Sequence, residues 1–228
     1  MSYSLRRHRL LSCSVAILAF GTSAPTIAYA QNATQLEQIT VEGGGVVDSE
    51  EGNGIEPVNG VVAKSTRTGS KAATPITEIP QSVSVVGRDE IDAQGAQKAD
   101  EALRYTSGVF TQPFGEDTDM NWMYIRGFDA TQTGVYLDGL QTYNYAFASF
   151  FIDSWNLERI EVLKGPASVL YGGSNPGGVI NYVSKRPDFE RTRHVETGIN
   201  DAGTGYFAFD FGDAIDDVSA YRVTGRIA

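Results

Sequence analysis

The spacing of apolar and polar residues changes character three times along the chain. Between Thr74 and Asp188 the periods are mixed. Residues 79–87 (IPQSVSVVG) read as a strand, and 88–108 (RDEIDAQGAQKADEALRYTSG) as one or two helices with acidic starts. Ile91, Ala99, Ala102 and Leu103 give those helices a buried face, with Gly108 as the stop. Two strand-like runs follow, 121–128 (NWMYIRGF) and 135–140 (VYLDGL), joined by the polar DATQTG. The last unit is strand, short helix, strand. RIEVLKG and GVINYVSK alternate as half-buried strands do, and between them Pro166 suits the first position of a helix. Gly165 ends the first strand, Ala167 to Tyr171 allow about one and a half turns, and Gly172 supplies a left-handed stop. Helices and strands mixed with short links predict a small α+β domain over 74–188.

After Asp188 the rhythm is regular. RTRHVETGIN, GYFAFDFGDA and SAYRVTGRIA alternate in segments of about ten residues, the length expected of strands in a membrane barrel. Phe207, Phe209 and Phe211 share one face, while Tyr206, Ala208 and Asp210 share the other, which suits lipid outside and water inside. A soluble hairpin has the same pattern. The alternation is still running at Ala228, so residues 189–228 read as the first strands of a longer sheet.

Before Thr74 apolar residues are sparse. Residues 31–73, with EGGGVVDSEEGNG at their centre, read as a flexible arm. Its one β-prone stretch is LEQITVEG, suited to pairing with the sheet edge of another protein. Residues 1–30 combine Arg6, Arg7 and Arg9, an apolar run and a small-residue AYA site, the features of a cleaved secretory leader. Its removal takes away Cys13, the sole cysteine, and makes a chain of formal net charge −10 more acidic still. Nucleic acid is therefore not an expected partner.

Several chemistries find no support. Gly172 to Gly177 is followed by Gly178, not by the Lys of a phosphate loop, and Pro176 stands where a G-x-S-x-G elbow needs glycine. In EDTDMN, Trp122 takes the place that a calcium loop gives to glycine. Past the leader His194 is the only histidine, so no metal site is expected, and no motif pairs two carboxylates for catalysis. No catalytic residue is assigned.

The ordered series EQITVEG, TEIPQSVSVVGRDEID, ADEALRYTSGV, IRGF, VYLDGL and LERIEVLKGPASVLYGGSNPGGVINYVSKRP resembles the N-terminal part of the TonB-dependent siderophore receptors. The likeness is greatest to the ferric-hydroxamate, ferrichrome-type members. It implies an α+β plug with a small mixed sheet and short helices, followed by the first antiparallel strands of an outer-membrane β-barrel, 22-stranded when complete. It also implies outer-membrane lipid around the barrel, no cofactor beyond a transported ferric siderophore, and TonB as the energising partner. Gln38, Ile39, Thr40, Val41 and Glu42 resemble the TonB box. Gly165, Gly172, Gly173, Gly177 and Gly178 are expected where plug backbone passes close to other backbone. Carried over by position, Arg126 of IRGF and Gln141, Tyr143, Tyr145 and Phe147 of the following loop are the siderophore-binding candidates. Arg126 equally suits an ion pair between plug and wall, and the rings suit core packing. A different cargo (cobalamin, a copper chelate or a glycan) and, in another class, a secreted α+β enzyme or binding module are the competing readings.

Overall fold

The computed structural model describes residues 54, 57–58, 60–115, 120–144, 151–199 and 203–228. The leader and the Gln38–Glu42 segment lie outside the described residues, as do Tyr145 and Phe147.

In chain order the strands are β1 (Ser65–Thr66), β2 (Thr74–Pro75), β3 (Ser82–Gly87), β4 (Val109–Thr111), β5 (Met123–Ile125), β6 (Phe128–Asp129), β7 (Val135–Leu137), β8 (Leu140–Gln141), β9 (Leu157–Lys164), β10 (Gly178–Ser184), β11 (Thr192–Ile199), β12 (Gly205–Ala214) and β13 (Ala220–Ile227). The helices are α1 (Arg88–Gln94), α2 (Ala99–Ala102) and α3 (Ser168–Tyr171). A five-stranded mixed sheet in the order β3-β9-β10-β7-β8 forms the centre, parallel only between β10 and β7. β4-β5-β6 and β11-β12-β13 are separate antiparallel sheets.

Side-chain alternation on β9 and β10 sorts two faces. Ile160, Val162, Ile180 and Tyr182 point into the main core with Ile91, Ala102, Leu103, Met123 and Ile125. Fully burying one such aliphatic side chain stabilises the fold by ~1.5–3 kcal/mol. On the opposite face Leu163 and Val179 pack with Tyr136 and Ala167.

β9 and β10 are not half-buried as their alternation suggests. All eight residues of β9 are buried, including Glu158, Arg159, Glu161 and Lys164. The second face is covered by Ser65 to Lys71, part of the arm expected to be a linker. That segment belongs to the fold from β1 onward; Gly69 packs against the buried Ile79 side chain, but the bonds its own side chains make are polar, which is why hydropathy gives little sign of it. Thr68 Oγ1 donates to the Glu161 carboxylate, and Asn181 Nδ2 donates to Thr68 Oγ1 at 3.1 Å. Tyr171 Oη donates to the Thr68 carbonyl at 3.0 Å.

Helix ends also differ from expectation. α1 stops at Gly95, φ +62°, in the left-handed conformation that glycine tolerates best. The Glu101 carboxylate accepts the Gln97 and Lys98 backbone N–H groups at 2.8 and 3.3 Å and so fixes the start of α2. α2 ends at Ala102, so Gly108 caps no helix; its positive φ turns the chain into β4. α3 begins at Ser168 after Ala167, two residues beyond Pro166.

Candidate functional site

IRGF and VYLDGL, which read as strands, are each the middle of a tight hairpin. Ile125 pairs with Phe128 across Arg126-Gly127, and Leu137 with Leu140 across Asp138-Gly139. Both residues of each turn have positive φ: Arg126 51°, Gly127 85°, Asp138 50° and Gly139 82°. Two-residue hairpins need this geometry because it matches the twist of the strands. Asp-Gly is a common solution. Arg at the first position is not, since its Cβ crowds the following carbonyl at a cost of ~1–2 kcal/mol.

Arg126 is therefore held at an exposed tip by its neighbours. Its backbone N–H donates to the Gly108 carbonyl at 2.8 Å. The guanidinium extends over Gly165, where an added Cβ would come within 3.4 Å of Nη1. Lys164 lies alongside, its ammonium donating to Ser84 Oγ at 2.7 Å. Burial, and then the Arg126 charge, hold the Lys164 pKa below the usual lysine range. Among the described residues Arg126 makes no ion pair. A shallow, mainly apolar hollow of about 310 Å³ opens beside it, lined by Gly108, Val109, Phe110, Tyr124 and Gly127. The Phe110 and Tyr124 rings are cross-strand neighbours with centroids 6.4 Å apart. Neither ring is among the expected site residues; strand alternation from Met123 and Ile125, both fully buried, is the signal that turns Tyr124 outward.

Other expected site residues fall elsewhere. Gln141 ends β8, and its Nε2 donates to the Thr133 carbonyl at 3.1 Å. Tyr143 is 79% exposed and lies near Tyr136 on the second face of the sheet. Among the described residues no hydrogen bond joins either residue to Arg126.

Among the glycines, Gly177 and Gly178 sit where backbone meets backbone. A Cβ on Gly177 would strike the Ile125 carbonyl oxygen, and one on Gly178, at φ +138°, the Leu163 carbonyl oxygen. Gly165 has φ +109°. Gly172 and Gly173 face open space among the described residues, so crowding does not account for them; Gly172 has φ +63° and ψ −128°, outside the left-handed helical region expected of a stop.

Beneath the Ser65–Lys71 segment a second, polar cleft of about 410 Å³ is lined by Arg67, Lys71, Glu161, Tyr171, Asn181 and Arg186. Arg159 and Glu161 form an ion pair at 2.8 Å, both almost fully buried. The Lys71 ammonium sits 3.4 Å over the Tyr171 ring, and burial pushes the Tyr171 hydroxyl up to about 12. Among the described residues no group of three His, Cys, Asp or Glu is arranged to hold a metal.

The β11-β12-β13 sheet meets the domain at its other end. Asp210 accepts from Lys185 Nζ and from Arg222 Nε and Nη2, each at 2.9 Å, and Trp155 Nε1 donates to the Phe209 carbonyl at 3.0 Å. Thr224 Oγ1 bonds Asn156 Oδ1 at 2.9 Å. Facing away, Val195, Ile199, Phe207, Phe211, Tyr221, Val223 and Ile227 form an exposed apolar surface.

Residues 75–179 match the family model described as the TonB-dependent Receptor Plug Domain. The chain is 35% identical over 223 residues to the ferrichrome outer membrane transporter/phage receptor of Escherichia coli K12, a match covering 96% of this chain and 30% of that protein. It is 40% identical over 172 residues to the ferrioxamine receptor of Yersinia enterocolitica, covering 74% and 24%. The pyoverdine outer membrane receptor FpvA of Pseudomonas aeruginosa superposes with a TM-score of 0.65 at 27% identity, covering 73% of this chain and 24% of that one. The chain thus spans less than a third of the length of the curated relatives it matches. A mixed sheet with a Gly-Pro helical unit between its central strands, antiparallel strands beyond it, and these matches together show that the chain belongs to the TonB-dependent receptors and carries their α+β plug domain.

Proposed function

We propose that the protein containing this sequence is an outer-membrane receptor that takes up ferric hydroxamate siderophores, with TonB pairing at Gln38–Glu42 as the source of energy. The carrying observation is Arg126: a cation kept at positive φ, without an acidic partner among the described residues, in an otherwise acidic chain. Backbone strain of this kind persists where the surroundings enforce it and is concentrated at binding sites. Arg126 sits at the Lys164 end of the central sheet, opposite the Ser184 end from which the chain leaves for β11. A ligand thus reaches Arg126 from the side away from that exit. Oxygen atoms of a chelate accept hydrogen bonds from a guanidinium, and such charge-assisted bonds are roughly twice as strong as neutral ones. Names of the matched relatives, ferrichrome and ferrioxamine receptors, support the hydroxamate class.

The test is uptake of radiolabelled ferrichrome and ferric ferrioxamine B by cells making the receptor, with and without TonB. Saturable binding in both strains, with accumulation only where TonB is present, is the expected result. Accumulation that is independent of TonB, or binding of cobalamin in preference to both chelates, overturns the reading.

A further inference from the structure

The β4-β5 ribbon separates its residues by face. Thr111, Met123 and Ile125 turn inward and are buried, while Phe110 and Tyr124 turn outward beside Arg126. Phe110 is 61% exposed. Asp129, the register partner of Tyr124, carries the nearest carboxylate in the register but accepts the Thr131 backbone N–H at 2.9 Å. The result is an apolar ring pair ending in a guanidinium, with Lys164 behind it.

The surface that the domain presents to β11-β12-β13 is built differently. Where it meets β11-β12-β13, Trp155, Asn156 and Lys185 are each joined to a strand residue by a specific hydrogen bond or ion pair. The Phe110–Tyr124 face has no such fastening among the described residues, and it adjoins the cation that lacks an acidic partner. An apolar surface next to unneutralised positive charge complements a molecule with hydrocarbon and oxygen in close succession. A trihydroxamate chelate has that character, since methylene spacers join its oxygen-rich iron-binding groups.

We propose that Phe110 and Tyr124 are specificity-determining residues of the Arg126 site, gripping the aliphatic spacer of a ferric trihydroxamate while Arg126 faces its oxygens. This rests on the uptake reading above and adds the residues that choose among chelates.

The experiment measures equilibrium binding of radiolabelled ferric ferrioxamine B and ferrichrome to outer membranes carrying the receptor. Phe110→Ala combined with Tyr124→Ala is expected to raise Kd about tenfold or more, the loss of about 1.4 kcal/mol that partial exposure of two rings gives. Receptor abundance and melting temperature stay at parental values. Phe110→Leu and Tyr124→Phe, which keep most of the apolar area, bind within about threefold of the parent. Parental affinity in the double alanine variant overturns the proposal, and so does a loss of binding accompanied by an equal loss in thermal stability. A parent receptor that binds neither chelate removes the uptake reading as well, which separates that failure from the failure of the ring pair alone.

Discussion

Asp210 is the group on which the junction between the domain and its first wall strands turns. Its carboxylate accepts three hydrogen bonds from Lys185 and Arg222, and the three side chains are 3%, 6% and 12% exposed. Asp210→Ala leaves two cations with little access to water. Breaking a buried ion pair by removing one partner costs ~3–5 kcal/mol. Glu158, 3.9 Å from Arg222, takes over part of the charge and sets the expected cost near the lower end. Converted at about 1.4 kcal/mol per tenfold, 3 kcal/mol raises the fraction of time that β12 stands open by about 150-fold. Hydrogen exchange of the β12 and β13 amides reads this directly. Trp155 supplies a second signal, because the Lys185 ammonium lies 4.3 Å over its ring; its fluorescence shifts to the red as the junction opens. Replacing all three groups with apolar residues of similar size (Lys185→Met, Asp210→Leu, Arg222→Met) recovers most of the loss, since no charge is then buried alone. Exchange within threefold of the parent in Asp210→Ala refutes the reasoning: the cations would then already be solvated.

Gly178→Ala is expected to destabilise the domain by ~3–5 kcal/mol, because the new methyl meets the Leu163 carbonyl at a positive φ, and a fall in the denaturation midpoint checks this. Gly173→Ala, in open space, is expected to leave the midpoint within about 0.5 kcal/mol of the parent. Arg126→Asn relieves part of the ~1–2 kcal/mol of turn strain while removing the guanidinium, so stability holds or rises as chelate binding falls; a lowered melting temperature in that variant contradicts it. Asp100 carries a pH dependence. Burial, offset in part by the Lys98 ammonium at 3.5 Å, raises its carboxyl pKa above the ordinary value. The folded state then binds the proton more tightly than the unfolded chain. Ionisation therefore costs stability at neutral pH, and that cost disappears as pH falls through the folded pKa toward the unfolded one. Asp100→Asn is expected to stabilise the protein near neutrality and to lose that advantage in acid, as read from denaturation midpoints at the two pH values.

Strand and helix positions were largely legible because burial follows period. The outward row of Phe207, Phe209 and Phe211 and the inward row of Ala208 and Asp210 appear as alternation alone predicts. Three features were harder to read. The turns at Arg126-Gly127 and Asp138-Gly139 lie inside runs that look extended, and only the Asp-Gly pair is a strong hairpin signal. Glu161 looks solvent-facing on β9 because its shield is a polar segment nearly a hundred residues earlier, and period carries no information about such long-range cover. In the candidate site, Arg126 came from a motif, whereas Phe110 and Tyr124 became visible only when pairing of β4 with β5 set them side by side. Gln141 and Tyr143 follow Arg126 in sequence but are tied to Thr133 and lie near Tyr136, respectively.

The Ser65–Lys71 cover over Glu161 and Asn181 is stitched with hydroxyl and amide groups, while Val61 and Val62 just before it are already in water. Peeling it away uncovers the Glu161 carboxylate and the Asn181 amide, groups that water can satisfy. A seam joined by such groups parts at a lower cost than an apolar one of the same size, because water replaces each partner as it leaves.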